Sequence, residues 1–396
     1  MPDLTVYDSL SGRKKNFTFK KRVTVYVCGV TPYDITHLGH AFTYVSFDLI
    51  IRYLEFTGIQ VTYIQNVTDI DDDILRKAKA SGQPWRKLAE VNFARFLDDL
   101  RWLNVRQPDF YPRATDHITE IISLVKKLLA KGYAYEKNGN VYFEIVKDTS
   151  YGKLSKLNRE QMLPLLKERG GNPQDPDKKN PLDFILWRKQ KKGEPAWESP
   201  WGNGRPGWHI ECSAMSLKYL GVNIDMHGGG GDLIYPHHES ELAQSEKATG
   251  ESFVNFWMHT GMLYYQGEKM SKSLGNLVFI SDLKEKYSAN AVRLSLLSHH
   301  YRKEWEFHEN EITRAEELNN LFKQLWLKQS FGAKEIDVTP FRKNFFSALD
   351  DDFNSPKALQ ALEQMATISI KTGKNITPAK AFLNRAFNIL GLRVEY

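Results

Sequence analysis

Cysteine is scarce in this chain: two in 396 residues, Cys28 and Cys212. So small a supply argues against a disulfide-stapled scaffold and leaves each thiol as a small buried hydrophobe or a metal ligand. Long apolar runs are missing too, and no window approaches the ~18 uninterrupted residues that a membrane helix needs. The N-terminus, MPDLTVYDSLSGRKKNF, lacks the basic, apolar and small-residue succession of a secretory leader, so a cytoplasmic protein is expected. Internal repeats and low-complexity tracts are absent, which sets aside solenoids and propellers. Charge is not strongly one-sided either. A net +6 permits a polyanionic partner without demanding one, and the clusters GRKKNFTFKKR and RKQKKG read as solvated loops at least as well as phosphate contacts.

What is present describes a soluble, enzyme-sized protein, with 41% hydrophobic and 26% charged residues and length enough for two or three domains. The apolar, β-branched run RVTVYVCGV (22–30) reads as a buried parallel strand. HAFTYVSFDLIIRYLEFTG has helical spacing and stops at Gly58, and IQVTYIQNVTD reads as a second strand. Strand, helix and strand make a βαβ unit, hence a right-handed crossover and a parallel sheet. Helical patterns follow at about 81–104 and 115–131, then a hairpin at AYEKNGNVYFEI, where Asn-Gly sits between alternating residues. From Tyr151 to Asn203 the composition turns to Lys, Pro, Asp, Gly and Asn, as in a loop-rich insertion. Regular pattern resumes at GWHIECSAMSLKYLG, NIDMHGGGGDLIYPHHESELAQSEKATG and FVNFWMHTGMLYY, and the last third is helical. The expected division is 1–100 and 206–280 for two halves of a parallel-sheet domain, 101–205 for the insertion and 281–396 for a helical bundle.

Two short motifs carry chemistry. HLGH, His37 to His40, lies between a strand end and a helix start, where backbone N–H groups and the positive end of the helix dipole suit a phosphate. Gly39 would let a nucleotide approach closely, and His37 and His40 could donate to phosphoryl oxygens as charge develops. EKMSKSLGN, Glu268 to Asn276, offers Lys269 and Lys272 on a Ser/Gly loop, a mobile clamp for a polyphosphate. Alone, the first motif reads more readily as turn or core histidines and the second as a solvated basic loop. Their order, with HLGH after the first strand of a βαβ unit and KMSKS far downstream, resembles the signature of class I aminoacyl-tRNA synthetases. That resemblance implies a Rossmann-like α/β catalytic domain.

PHHESE adds His237 and Glu241, at i and i+4 on one helix face. With Cys28 and Cys212 they could complete a tetrahedral zinc site of two thiolates, one imidazole and one carboxylate. In this company the chain is similar to cysteinyl-tRNA synthetases over nearly its whole length, through VYVCGVTPYDITHLGHAFTYVSFD, NVTDIDDDILRKA, NPLDFILWR, PWGNGRPGWHIECSAMS, HGGGGDLIYPHHESELAQSE, EKMSKSLGN and DDDFNSPKAL. The resemblance implies one zinc per chain on Cys28, Cys212, His237 and Glu241, with the metal taking the substrate thiolate. The logic is physical: an apolar pocket separates cysteine from serine by only ~1–3 kcal/mol, whereas sulfur is the softer metal ligand. It further implies that Gly29, Thr31, Thr68 and Trp208 bound the L-cysteine pocket. Gly230, Gly231 and Asp232 would hold the adenosine, with Asp232 as ribose acceptor, although Asp232 reads equally as a capping residue at a glycine turn. ATP with Mg2+ and a tRNA acceptor stem are the expected partners, and a monomer is expected.

A sister family passes activated cysteine to the amine of glucosaminyl-inositol in mycothiol synthesis. TPYDITHLGHA, with Pro32 after Thr31, and ERGGNP at 168–173 resemble that ligase. So does the end at FNILGLRVEY, where a full synthetase would add an anticodon-reading domain. Glu241, NPLDFILWR and MSKSLGN resemble the synthetase instead, and basic clusters suit a tRNA better than an amino sugar. The sequence therefore favours a compact cysteine–tRNA ligase, with the amino-sugar ligase as the alternative. A synthetase-like module without catalysis would show a broken motif, and neither motif is broken.

Overall fold

The structure is a computed structural model that describes residues 4–18, 20–270 and 274–394. A hairpin of β1 (Thr5–Asp8) and β2 (Arg13–Asn16) opens the chain, and its lysines pair with carboxylates: Lys14 with Asp351 and Lys15 with Asp8. Lys20 just beyond it pairs with Asp225. Much of the first basic cluster is therefore structural.

The strand, helix and strand expected next are β3 (Arg22–Val30), α1 (Leu38–Phe56) and β4 (Gln60–Val67). β3 and β4 run parallel, and Gly58 turns the chain at φ +90°. α1 is buried along nearly its whole length, so its apolar residues cover more than one stripe. The expected helix at 81–104 is matched by a single helix at 85–102, and a separate helix that the pattern did not reveal, at 72–81, precedes it. Asp71 caps α2 (Asp72–Ser81) through its side chain and Gly82 ends it in the left-handed conformation, so that after Pro84 α3 (Trp85–Trp102) starts afresh. The expected boundary at residue 100 falls inside α3. Residues 110 and 113 then return to bridge β4 at Ile64 and Val67.

The insertion contains α4 (Ile118–Ala130) and the hairpin β5 (Ala134–Lys137) and β6 (Asn140–Phe143), whose Asn138 and Gly139 both have positive φ, as the Asn-Gly turn requires. The loop-rich stretch is more ordered than its composition suggests. A capping box between Asn158 and Gln161 starts α5 (Arg159–Glu168). β7 (Phe184–Lys189) and β8 (Gly204–Pro206) then complete an antiparallel sheet in the order β5-β6-β7-β8.

The chain re-enters the parallel sheet through α6 (Trp208–Leu220), β9 (Ile224–Gly230), α7 (Glu239–Thr249) and β10 (Val254–Thr260), giving the strand order β10-β9-β3-β4. The two halves thus interleave into one sheet, with β9 beside β3 at its centre. β11 (Leu263–Tyr265) and β12 (Glu268–Lys269) form a small hairpin leading to the KMSKS segment. α8 (Ile280–Lys284), α9 (Ala289–Leu297) and β13 (Trp305–Glu306) follow it. The helices α10 (Glu309–Leu327), α11 (Thr339–Asp350), α12 (Ser355–Lys371) and α13 (Thr377–Leu390) end the chain and share a hydrophobic core with α1. Among the described residues no helix is long and apolar enough to cross a membrane.

Candidate active site and metal centre

Ligand sites in open α/β sheets lie at the carboxyl ends of the strands, where the strand order reverses. Here β3 sits between β4 and β9, and a cleft of about 1890 Å³ opens at that edge. Cys28, Gly29 and Thr31 line it, as do His37, Gly39, His40, Trp208, Gly230, Asp232 and Lys269.

Gly29 is dictated by backbone approach: a Cβ there would lie 1.6 Å from the Asn66 carbonyl oxygen, and its amide instead bonds the Asn66 side chain at 2.8 Å. This contact draws β3 and β4 together where the strands enter the site. Thr68 lies one layer behind: it is buried, its amide donates to the Val30 carbonyl at 3.1 Å, and its hydroxyl accepts from Asn66 at 3.3 Å.

His37 is the N-cap of α1 and accepts from the His40 amide at 3.4 Å, while the two imidazoles stack with centroids 3.7 Å apart. Gly39 leaves room for that stack, since a Cβ would stand 3.1 Å from the His37 ring. The segment after KMSKS locks onto the same turn, through Leu38 N–H to Val278 at 2.8 Å and Ile280 N–H to Thr36 at 3.0 Å. Two segments remote in sequence thereby meet. Lys269 lies on β12, paired with Tyr264, and Asn276 donates to its carbonyl at 3.2 Å, closing the loop. Lys272 lies outside the described residues.

At Cys28 the cleft borders a cluster in which donor atoms of Cys28, Cys212, His237 and Glu241 all lie within 4.8 Å of one another, and all four residues are buried. Cys28 Sγ stands 4.0 Å from Cys212 Sγ and 3.3 Å from Glu241 Oε1, and His237 Nε2 is 3.0 Å from the same oxygen. Each residue arrives on a different element: Cys28 on β3, Cys212 on α6, His237 in the turn 234–238 and Glu241 in the first turn of α7. His237 therefore precedes the helix on which it was expected, yet it keeps its i,i+4 contact with Glu241.

Electrostatics favours a cationic occupant. Burial pushes the Glu241 carboxyl up, but His227 and His237 outweigh it and hold it at about 2. Burial also raises the Cys212 thiol, yet the Cys28 hydrogen bond and the neighbouring His237 bring it down to about 6. Cys28 is pushed up by burial and by Cys212 and Glu241. Glu241 Oε2 is buried without a hydrogen-bond partner, which is costly unless a cation takes it. Two sulfurs, one imidazole nitrogen and one carboxylate oxygen are a donor set suited to tetrahedral zinc.

Sequence reasoning missed the histidines around this cluster. His227 Nε2 lies 3.6 Å and His238 Nε2 3.2 Å from Cys28 Sγ, so Cys28, His227, His238 and Glu241 form a second, overlapping donor set. His209 meets His237 Nδ1 to Nδ1 at 2.9 Å, His238 Nδ1 reaches His259 at 2.8 Å, and His259 reaches Ser9 at 2.8 Å. Burial holds His209, His238 and His259 neutral, the last at about 3. Neutral imidazoles bonded behind a ligand fix its tautomer and orientation. The signal available was density, with HH in one motif and a histidine in each of two nearby strands. Trp208 stacks face to face on His237 at 4.3 Å and 2°, walling the cleft above the cluster.

Asp232 stands at the cleft's edge in the short turn Gly231–Leu233. Gly231 must be glycine-sized, because a Cβ would lie 2.8 Å from the Thr260 carbonyl. Thr260 in turn bonds Thr43 of α1, hydroxyl to hydroxyl at 2.9 Å, tying the glycine turn to the helix that HLGH opens.

A family described as tRNA synthetases class I (C) catalytic domain matches residues 15–317. In three dimensions the chain is similar to Mycobacterium tuberculosis methionyl-tRNA synthetase in complex with methionyl-adenylate, with TM-score 0.66 and 18% identity over 93% of this chain and 89% of that one. The fold is therefore that of a class I aminoacyl-tRNA synthetase. Cysteine–tRNA ligase of Thermococcus onnurineus is 48% identical, the alignment covering 92% of this chain and 79% of that protein. Cysteine–tRNA ligases of Pyrococcus horikoshii (99% and 87% covered) and Dehalococcoides mccartyi strain 195 (98% and 86%) are each 45% identical. The chain belongs to the cysteine–tRNA ligase family.

Proposed function

We infer that the chain is a ligase that activates L-cysteine with ATP and charges tRNA with it. The observation that carries this reading is the convergence of Cys28, Cys212, His237 and Glu241 in one buried cluster, whose Cys28 lines the same cleft as His37, Gly39, His40 and Lys269. The alternative acceptor, the amine of glucosaminyl-inositol, is not favoured, since relatives at 45–48% identity over most of the chain are cysteine–tRNA ligases.

Cys28, Cys212, His237 and Glu241 would hold the zinc. When bound, zinc supplies a soft Lewis-acidic centre that prefers a thiolate to a hydroxyl. Trp208, Gly29 and Thr31 close the space above it, and Thr68 braces that wall from behind through Asn66. The nucleotide lies along the flank from Gly230 to Gly39, with Asp232 accepting from the ribose and the α1 N-terminus facing the phosphates. The cysteine carboxylate is already ionised at neutral pH and needs no base to attack the α-phosphorus in line. His37, His40, Lys269 and Lys272 stabilise charge on the phosphates, to which the Mg2+ of an ATP complex would add charge compensation. The ribose hydroxyl at the tRNA terminus then takes the aminoacyl group.

Amino-acid-dependent ATP–pyrophosphate exchange tests the reading. An apolar pocket alone would separate cysteine from serine by ~10–200-fold, so metal-based selection predicts exchange with cysteine at least ~1000 times more efficient than with serine. Equal exchange with both amino acids, or none with either, would overturn the reading.

A further inference from the structure

The segment ERGGNP had no part in the chemistry above, yet it reaches the nucleotide side of the cleft. α5 ends at Glu168, Arg169 caps it by donating its amide to the Leu165 carbonyl at 3.0 Å, and the chain then reverses. Gly170 has φ +81°, a conformation that favours glycine. Gly171 donates to the Leu166 carbonyl at 2.8 Å, and a Cβ there would lie 2.5 Å from the Leu166 side chain and 2.9 Å from its carbonyl oxygen. The two glycines thus fold the turn flat against the end of α5. Their effect is to hold the Arg169 side chain in one place.

That place is over Asp232. Arg169 Nη1 donates to the Asp232 main-chain carbonyl at 2.8 Å and lies 3.6 Å from the carboxylate oxygen Oδ2. The guanidinium is mostly buried, with Nε sequestered from solvent and 3.5 Å from Glu168. The Asp232 carboxylate is 41% exposed, so one side is held by Arg169 and the other stays open to the cleft. Its Oδ1 folds back over Gly230, where a Cβ would stand 2.5 Å away. Both contacts come from Nη1, a hydrogen bond to the main chain and a longer ion pair to the carboxylate; the rigid, always-charged guanidinium holds that nitrogen in place better than the flexible stem of a lysine would.

We propose that Arg169, from the insertion, is a positioning residue for the nucleotide: it fixes the main chain and carboxylate of Asp232 so that the open side of the carboxylate meets the ribose hydroxyls of ATP. The role rests on the reading of the chain as an ATP-dependent cysteine ligase with Asp232 at the ribose. It also gives the insertion a direct hold on the nucleotide site, because α5 packs against the turn 234–238 that carries His237. Arg169 need not touch the substrate; it acts through Asp232.

The experiment is cysteine-dependent ATP–pyrophosphate exchange by the zinc-loaded full chain and its Arg169→Ala and Arg169→Lys variants, with melting temperature and zinc content measured alongside. Arg169→Ala is expected to raise KM for ATP about tenfold while kcat and KM for cysteine stay within about twofold, and Arg169→Lys to recover part of the loss. A merely structural residue would move all three constants together and lower the melting temperature. An ATP KM within twofold of the parent's in Arg169→Ala, a common fall in every constant, or a lysine variant no better than alanine would each overturn the role. Should Arg169→Ala fold poorly, Arg169→Lys alone decides, by a selective rise in ATP KM or its absence. A parent protein without exchange would instead sink the functional reading itself, so the two failures are distinguishable.

Discussion

Cys28 lies near the end of β3 and lines the cleft, and Cys212 approaches from a helix that follows the insertion, so the pair exists only in the folded chain. Cys212→Ser exchanges a soft thiolate held near 6 for a hydroxyl that stays protonated. Zinc content is predicted to fall from about one per chain to well below that on dialysis, and cysteine-over-serine selectivity should fall with it; unchanged zinc by elemental analysis would remove Cys212 from the ligand set. The four expected ligands were legible because each sits in a motif that resembles a known family. His209, His227, His238 and His259 were not, since their density was visible in the sequence but not the packing of β9, β10, α6 and the turn 234–238 that gathers them around the cluster. Pro32 and ERGGNP pointed toward a different acceptor. For ERGGNP the structure supplies a local reason, a glycine turn against Leu166 that aims Arg169 at Asp232.

Among the elements, α1 carries two duties. Its first turn is HLGH, and its middle joins the catalytic domain to the C-terminal helices through the buried Asp48, which pairs with Arg52 at 2.9 Å and with Arg293 of α9. Arg293 also donates to the Leu103 carbonyl at 2.9 Å and to the Leu390 carbonyl at the end of α13, and a Cβ on Gly391 would strike its guanidinium. Removing one partner of a buried pair leaves the other charge uncompensated. Asp48→Ala, which strands the buried Arg293, is therefore predicted to cost about 3–5 kcal/mol, read as a drop in the urea midpoint, whereas Asp48→Leu combined with Arg293→Met should recover much of it; a single-variant loss under ~1 kcal/mol would refute the pair's role. Strong periodicity made α1, β3, β4 and the hairpin at Asn138–Gly139 readable from the sequence. α3 was readable too, whereas α2 went unread because only Ile74 and Ala78 of its ten residues are buried, too few to show a helical stripe. α5 and β7 were hidden by the Lys, Pro and Gly around them, although the Asn158–Gln161 capping box was there to be read.

At the scale of the whole molecule, the insertion contributes to the cleft at two places. Arg169 pairs with Asp232, and Arg188 and Arg205 converge on Asp72 at the start of α2. The basic cluster RKQKKG also lines the cleft, with Arg188, Lys189, Lys191 and Lys192 all on its wall. Such a rim suits the phosphates of a nucleic-acid end more than a neutral amino sugar. Activation of cysteine would be shared by both candidate enzymes, so the acceptor is what separates them. The most direct measurement offers the zinc-loaded protein ATP and labelled cysteine together with both tRNA and glucosaminyl-inositol. Label is predicted to appear in acid-precipitable tRNA, in an ester that mild alkali releases; label confined to the amino sugar as a stable amide would contradict the assignment.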